Sequence, residues 1–398
     1  MERYYIESIV YETALGIKKL IDKGMITKEN KIVLYGLDTE AFAMRTILEN
    51  YGFGVDSYIS DNPAQVIKYK RSVKAARARY LNSSRDLIKI CSVEERLKPF
   101  DEKAVILSAS RDCNQAKIEE LNYQRNVNFF QVFDWEQDKF AVFVHGRHVM
   151  TLKEMQKVVK DTLFIFDRFC MDRGLRYWVC GGTLLGTIRH QGFIPWDDDV
   201  DVFMPWEDYR KFMDDAVCDA GHSLIAPHNT DRKKYYDIFS KMADNRTIVR
   251  EDGGYIRKIH PVAIDIFPLI GLPANKEERH LFFTEYQELE RTITEDFYAH
   301  NGDLGIYNRW YLAQEEFLRK YDFDKSDYVG VLATAYGEKD CTTRKVYDET
   351  LRMPFEDMEV NVPIGYKEYL DNLYGDDWME LPDESKRVSH HNMEAFWL

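Results

Sequence analysis

Cys180-Gly181-Gly182-Thr183-Leu184-Leu185-Gly186-Thr187-Ile188-Arg189-His190-Gln191-Gly192-Phe193-Ile194-Pro195-Trp196-Asp197-Asp198-Asp199-Val200-Asp201 carries a glycine pair, a short helical stretch and four carboxylates in close succession. Carboxylates packed so tightly repel one another and call for a cation. Ligand sets made only of oxygen suit Mg²⁺ or Mn²⁺ rather than Zn²⁺. Val200, Val202, Phe203 and Met204 read as a short buried strand closed by Pro205. Alternation along it places Asp199 and Asp201 on one face, roughly 6.5–7 Å apart at the backbone. Asp198 has the opposite parity, and Asp197 lies in the turn after Pro195-Trp196. The expected metal ligands are therefore Asp199 and Asp201, then Asp197, with Asp198 last. A solvated acidic turn is the plain alternative, and the apolar residues that follow the acids argue against it. The D-x-D-x-D-G spacing of a helix-loop-helix calcium site is absent.

The segment before the acids suits phosphate. Leu175 to Val179 reads as a short strand, and Gly181-Gly182-Thr183 opens a helix. Glycines let backbone N–H groups approach an anion, and a helix start adds a favourable dipole. Thr183 either caps that helix or donates to a phosphate oxygen.

Length and composition set the frame. A chain of 398 residues suggests two domains, each large enough for a core. Hydrophobic residues make up 45% and charged residues 31%, an ordinary balance for a soluble globular protein. No apolar run approaches the roughly 20 residues that span a bilayer. The Met1-Glu2-Arg3-Tyr4-Tyr5 start lacks a secretory pattern, which leads to the expectation of a cytoplasmic protein, at most peripheral at the inner membrane face. The six cysteines form no C-x-x-C pair, as expected for reduced thiols. A net charge of −14 disfavours nucleic acid and anionic lipid as partners.

The first 140 residues alternate strand and helix patterns. Lys31–Tyr35 reads as a strand, 39–51 as a helix with Ala41, Met44, Ile47 and Leu48 on one face, and Phe53–Ser60 as a second strand. Strands are also expected at 104–109 and 129–133. This predicts a small Rossmann-like accessory domain over residues 1–140. Its Gly36 loop departs from G-x-G-x-x-G, and Asp38 and Glu40 would repel a pyrophosphate. Packing, oligomerisation or partner binding is the more natural role. A second domain spans 150–398. Thr151-Leu152-Lys153-Glu154 has the form of a capping box, opening a helix that stops at Gly174. Pro205 is expected to open another helix, strands to follow near 234–243, 246–251 and 261–267, and 275–345 to form a helical subdomain.

Several further stretches join the opening one in a family pattern. They are Phe239-Ser240-Lys241 with Arg246-Thr247, then Ile264-Asp265-Ile266-Phe267-Pro268-Leu269. Tyr374-Gly375-Asp376-Asp377-Trp378 follows, with Leu381-Pro382 and Arg387-Val388-Ser389-His390-His391. Over roughly residues 150–398 the chain closely resembles the LicD family of phosphocholine transferases, which share the nucleotidyltransferase fold with the fukutin and fukutin-related proteins. The resemblance implies an α/β fold with a mixed catalytic sheet, and a third metal acid, Asp265, on a strand beside Asp199 and Asp201. It implies Mg²⁺ or Mn²⁺ as cofactor, and Asp265 as the base for an acceptor hydroxyl. Gly181, Gly182, Thr183, Arg189, Lys241, Arg387, His390 and His391 become the expected nucleotide and phosphate contacts. Choline is a quaternary ammonium held by aromatic faces, for which Trp196, Tyr374 and Trp378 are the candidates.

The expected function is thus transfer of phosphocholine, or a related alcohol phosphate, from CDP-choline or another CDP-alcohol. The acceptor would be a hydroxyl of a cell-surface glycan such as teichoic acid or lipopolysaccharide, or its lipid-linked precursor, with CMP released. Two other readings stay open: a nucleotide-sugar glycosyltransferase with a D-x-D metal site, and an inactive nucleotidyltransferase-like interaction protein.

Overall fold

A computed structural model describes residues 5–36, 39–60, 89–92, 104–108, 128–131, 143–215, 221–227, 237–252, 256–334, 336–387 and 393–398. The chain opens with strand β1 (Tyr5–Ser8) and helix α1 (Ile9–Asp22), followed by β2 (Lys31–Tyr35), α2 (Thr39–Asn50), β3 (Val55–Ser60), β4 (Lys89–Ser92), β5 (Ala104–Ser108) and β6 (Asn128–Gln131). β2 to β6 form one parallel sheet in the order β4-β3-β2-β5-β6. Ile32 to Leu34 and Ala104 to Leu107 are buried without alternation, as a parallel sheet covered on both faces requires. Residues 37 and 38 of the Gly36 loop lie outside the described residues.

β1 does not join that sheet. It pairs antiparallel with β12 (Ile256–His260) in a second sheet ordered β1-β12-β11-β18, where β11 is Thr247–Asp252 and β18 is Met393–Trp397. The beginning and the end of the chain therefore close the same sheet. The cause is long-range pairing, which no local periodicity in residues 5–8 announces.

The rest of the chain builds a mixed sheet around one long strand. Helix α3 (Leu152–Arg173) starts at the capping box: Glu154 N–H donates to Thr151 Oγ1 at 3.3 Å, and Thr151 N–H to Glu154 Oε2 at 2.8 Å. It ends at Gly174, whose φ of 64° is left-handed. Then come β7 (Trp178–Val179), α4 (Gly181–His190), β8 (Asp201–Pro205), α5 (Trp206–Asp215), β9 (His222–Ile225), β10 (Ser240–Asp244) and, after β11 and β12, β13 (Ala263–Leu272). β13 pairs antiparallel with β10 through residues 263–266 and parallel with β8 through residues 265–269. Its end pairs with β14 (Tyr328–Gly330), which carries β15 (Thr342–Thr343). A hairpin of β16 (Thr350–Phe355) and β17 (Met358–Pro363) and helix α8 (Tyr366–Tyr374) complete this unit. Its core gathers Phe166, Tyr177, Trp178, Phe203, Ile264, Ile266 and Tyr369, all at most 1% exposed.

Helices α6 (Lys276–Ala299) and α7 (Ile306–Arg319) occupy the first part of the expected 275–345 helical region, whose remainder instead carries β14 and β15 of the mixed sheet. They also bind the two halves together. Ile293, Phe297, Ile306 and Tyr307 share a buried cluster with Ala41, Met44, Ile47 and Leu48 of α2. Asn50 Nδ2 donates to the Tyr298 carbonyl at 2.9 Å across this junction. The α/β class expected from the alternation of elements is thus the class observed. No helix among the described residues is long and apolar enough to cross a membrane.

Candidate active site

The parallel pairing of β8 with β13 sets Asp201 directly opposite Asp265. Adjacent strands lie about 4.8 Å apart and paired residues face the same side, so the two carboxylates converge. Asp265 is flanked by Ile264 and Ile266, both fully buried, which forces its own side chain to the opposite face. Its backbone N–H donates to the Val200 carbonyl at 2.9 Å, locking the acidic segment to β13.

Asp197, Asp198 and Asp199 each offer a carboxylate oxygen within 4.8 Å of the others. Strand parity ranked Asp198 last, yet it is 7% exposed and belongs to this cluster. The strand begins at Asp201, and residues 197–200 lead into it from a turn at 195–196 without regular structure, so strict alternation does not apply to them. The turn is fixed by Asp197 N–H on the Ile194 carbonyl and by Gln156 Nε2 on the Asp197 carbonyl at 2.8 Å. Burial pushes the Asp201 carboxyl well above the usual range, helped by Asp199, Asp265 and Asp197 and opposed by Lys241. A cluster of like charges in this setting is suited to a divalent cation, and its donors are all hard oxygens.

The glycine pair explains how the acids come so close to backbone. Gly181 has a φ of 51°, which side chains rarely adopt, and a Cβ on Gly182 would lie 2.7 Å from Asp197 Oδ2. The Gly181 N–H donates to Tyr369 Oη at 3.2 Å. Tyr369 in turn donates to Asp340 Oδ1 at 3.0 Å, while Thr334 Oγ1 donates to Asp340 Oδ2. Thr183 does not cap α4: its Oγ1 accepts the Asp201 N–H at 2.9 Å and pins the start of β8.

A cavity of about 160 Å³ opens on the acids. Asp198, Asp199 and Asp265 line it together with Lys241, Lys258 and His260. Lys241 is 5% exposed and its Nζ pairs with Asp265 Oδ1. Burial works against its charge, but Asp265 and Glu251 hold the ammonium above the usual lysine range. Lys258 pairs with Asp237 at 3.1 Å, and His260 Nε2 faces Glu251 Oε2 at 3.5 Å. Lys258 and His260 come from β12, a strand with no recognisable motif, and its pairing with β11 and β1 places them here.

The remaining expected residues scatter. Arg189 Nη1 donates to the carbonyls of Trp378 at 2.8 Å and Glu380 at 3.1 Å, so this guanidinium straps down the segment after α8. Trp378 is 9% exposed, in the core, with Nε1 donating to Asp371 at 2.7 Å. Arg387 lies 5.8 Å from the centre of the Trp196 ring and so returns toward the acidic turn. His390 and His391 fall outside the described residues. Tyr374 does approach the acids: burial raises its phenol, with Tyr336 and the charges of Asp197 and Asp201 adding to the effect. Tyr336 stands edge-on to it at 6.2 Å between ring centres and feels Asp201 and Asp199 likewise. Sequence reasoning passed over Tyr336, which sits in a loop where one tyrosine among 25 gives no signal.

Comparison with known proteins places the chain in a family. Residues 174–311 match the family model for the nucleotidyltransferase domain of LicD, FKTN and FKRP. The chain is 30% identical over 267 residues to the lipopolysaccharide cholinephosphotransferase LicD of Haemophilus influenzae, covering 63% of this chain and 99% of that protein. A shorter stretch of 35 residues is 57% identical to the ribitol 5-phosphate transferase FKRP of Homo sapiens, covering 9% of this chain and 7% of that protein.

Proposed function

Because the chain belongs to the LicD family, we propose that it transfers phosphocholine from CDP-choline to a hydroxyl of a cell-surface glycan or its precursor, releasing CMP. The observation that carries this reading is the meeting of Asp197, Asp199, Asp201 and Asp265 beside the Gly181-Gly182 backbone. Asp199, Asp201 and Asp265, with Asp197, are the residues that would hold Mg²⁺ or Mn²⁺. Such an ion supplies Lewis-acid neutralisation of charge on the transferring phosphoryl group.

The protein's own groups do the rest. Gly181 and Gly182 let the acidic segment lie against the start of α4, whose dipole favours donor phosphates beside the acids. Lys241 and Lys258, paired with Asp265 and Asp237, are the cations of the cavity that an anionic donor would meet. Asp265 is the base that takes the acceptor proton, and Lys241 holds its carboxylate in place. Tyr336 and Tyr374, edge-on to each other and within electrostatic reach of Asp201, are the aromatic rings suited to a quaternary ammonium. The short likeness to FKRP favours ribitol phosphate as the second candidate cargo. Incubation with CDP-choline, CDP-ribitol, CDP-glycerol and CDP-ethanolamine, with and without Mg²⁺, tests the reading. Mg²⁺-dependent CMP release is expected from CDP-choline first. No CMP from any donor would refute it, and transfer of a sugar from a nucleotide sugar would put a glycosyltransferase in its place.

A further inference from the structure

A second cavity, of about 300 Å³, adjoins the first. It is walled by α6 and α7 and by the segments 237–239 and 332–334, and Asp237 and Phe239 line both cavities. Its size is at the lower end of sites for small molecules. Among the described residues no Lys or Arg lines it. Its polar groups include Gln314, Glu290, Thr294 and Thr334, set among the rings of Tyr286 and Tyr307.

Gln314 decides the kind of occupant. It is 6% exposed, and its Oε1 meets no hydrogen-bond donor among the described residues. Buried polar atoms are nearly always paired, so this oxygen points to a ligand that donates. A quaternary ammonium has no hydrogen to give, whereas a sugar hydroxyl does. Aromatic rings beside an amide and a carboxylate match the alternating apolar faces and hydroxyl edges of a pyranose. We propose that this cavity binds the sugar unit of the acceptor, with Gln314 and Glu290 accepting hydrogen bonds from its hydroxyls. The shared wall at Asp237 and Phe239 then sets the sugar next to the donor cavity. Thr334, which lines the sugar cavity, also holds Asp340, and through Tyr369 this links the cavity to the Gly181 loop.

The assignment of the sugar as acceptor rests on the transfer reading, so the test has two arms on the full chain. In the first, saturation-transfer NMR probes methyl β-galactoside, methyl β-glucoside and N-acetylglucosamine without any donor. At least one is expected to bind, and Gln314→Leu to weaken it about 3- to 10-fold, the usual range for one lost hydrogen bond. Glu290→Gln, a milder change, should weaken it in the same direction, with circular dichroism and melting unchanged. In the second, both variants should keep acceptor-independent hydrolysis of CDP-choline while the acceptor KM rises by a similar factor. If no CDP-alcohol is cleaved but sugar binding depends on Gln314, the cavity stands and the transfer reading falls. No sugar binding to the wild type, or equal binding in both variants, overturns the proposal. Tetramethylammonium binding that Gln314→Leu leaves intact and Tyr286→Leu removes would overturn it in favour of a cation site.

Discussion

Asp340→Asn offers a measurement of how the glycine loop is held. Asp340 is fully buried and accepts hydrogen bonds from Thr334 and Tyr369. Those bonds favour the charged carboxylate, but burial outweighs them and pushes its pKa from 3.8 up to about 6. A carboxyl raised on folding binds its proton more tightly in the folded state. Its effect on stability is therefore nil below about pH 4, grows unfavourable as pH rises toward 6, and is constant above that. A shift of about two units at ~1.4 kcal/mol each makes the full penalty roughly 3 kcal/mol. About 1.4 kcal/mol of it develops between pH 5 and pH 8. Asparagine never ionises and escapes this part, whatever constant cost its altered hydrogen bonds carry. The melting temperature of the variant minus that of the wild type should therefore increase by about 3–6 °C from pH 5 to pH 8. The assay is paired thermal unfolding in matched buffers, following the transition of the unit that contains β13. A difference that stays constant with pH, or moves the other way, refutes the claim that burial dominates Asp340.

The remaining expectations concern chemistry and architecture. Asp199→Asn and Asp201→Asn should each reduce transfer by two orders of magnitude or more. Both should melt at or slightly above the wild-type temperature without metal, since each removes a repelling charge. Wild-type turnover in either at saturating Mg²⁺ contradicts the metal assignment. Tyr336→Leu and Tyr374→Leu should weaken CDP-choline about 2- to 30-fold while changing CMP affinity less than twofold. Equal losses for both ligands would make these rings part of nucleotide or core packing. A fragment of residues 143–398 should lose thermal stability and self-associate on sizing columns, because it lacks β1 at the edge of β12 and uncovers Phe297 and Ile306. A monomeric fragment with unchanged melting would show that these contacts contribute little.

What the sequence disclosed was whatever lies close together along the chain. The capping box at Thr151, the stop at Gly174, the glycine pair and the isolated Asp265 are local patterns, and the family resemblance rested on such patterns. Strand parity did not place Asp198 because it precedes the regular strand, which begins at Asp201. The bonds from Arg189 to the Trp378 and Glu380 carbonyls depend on a segment far along the chain, which its charge does not announce. Lys258, His260, Tyr336 and Gln314 were passed over for the same physical reason. Each reaches its place through pairing or packing between distant elements, and the residue type alone carries no sign of it.

The central claim is that this acidic site moves an alcohol phosphate off a cytidine diphosphate donor. CDP-choline labelled with ³²P at the phosphate next to choline, incubated with Mg²⁺ and a surface-glycan acceptor, tests it most directly. The label is expected to appear on the glycan with unlabelled CMP released, and to stay on the donor with Asp201→Asn or with chelator. Label left on the donor by the wild type under every metal condition, or glycan modified without gaining label, would contradict the account.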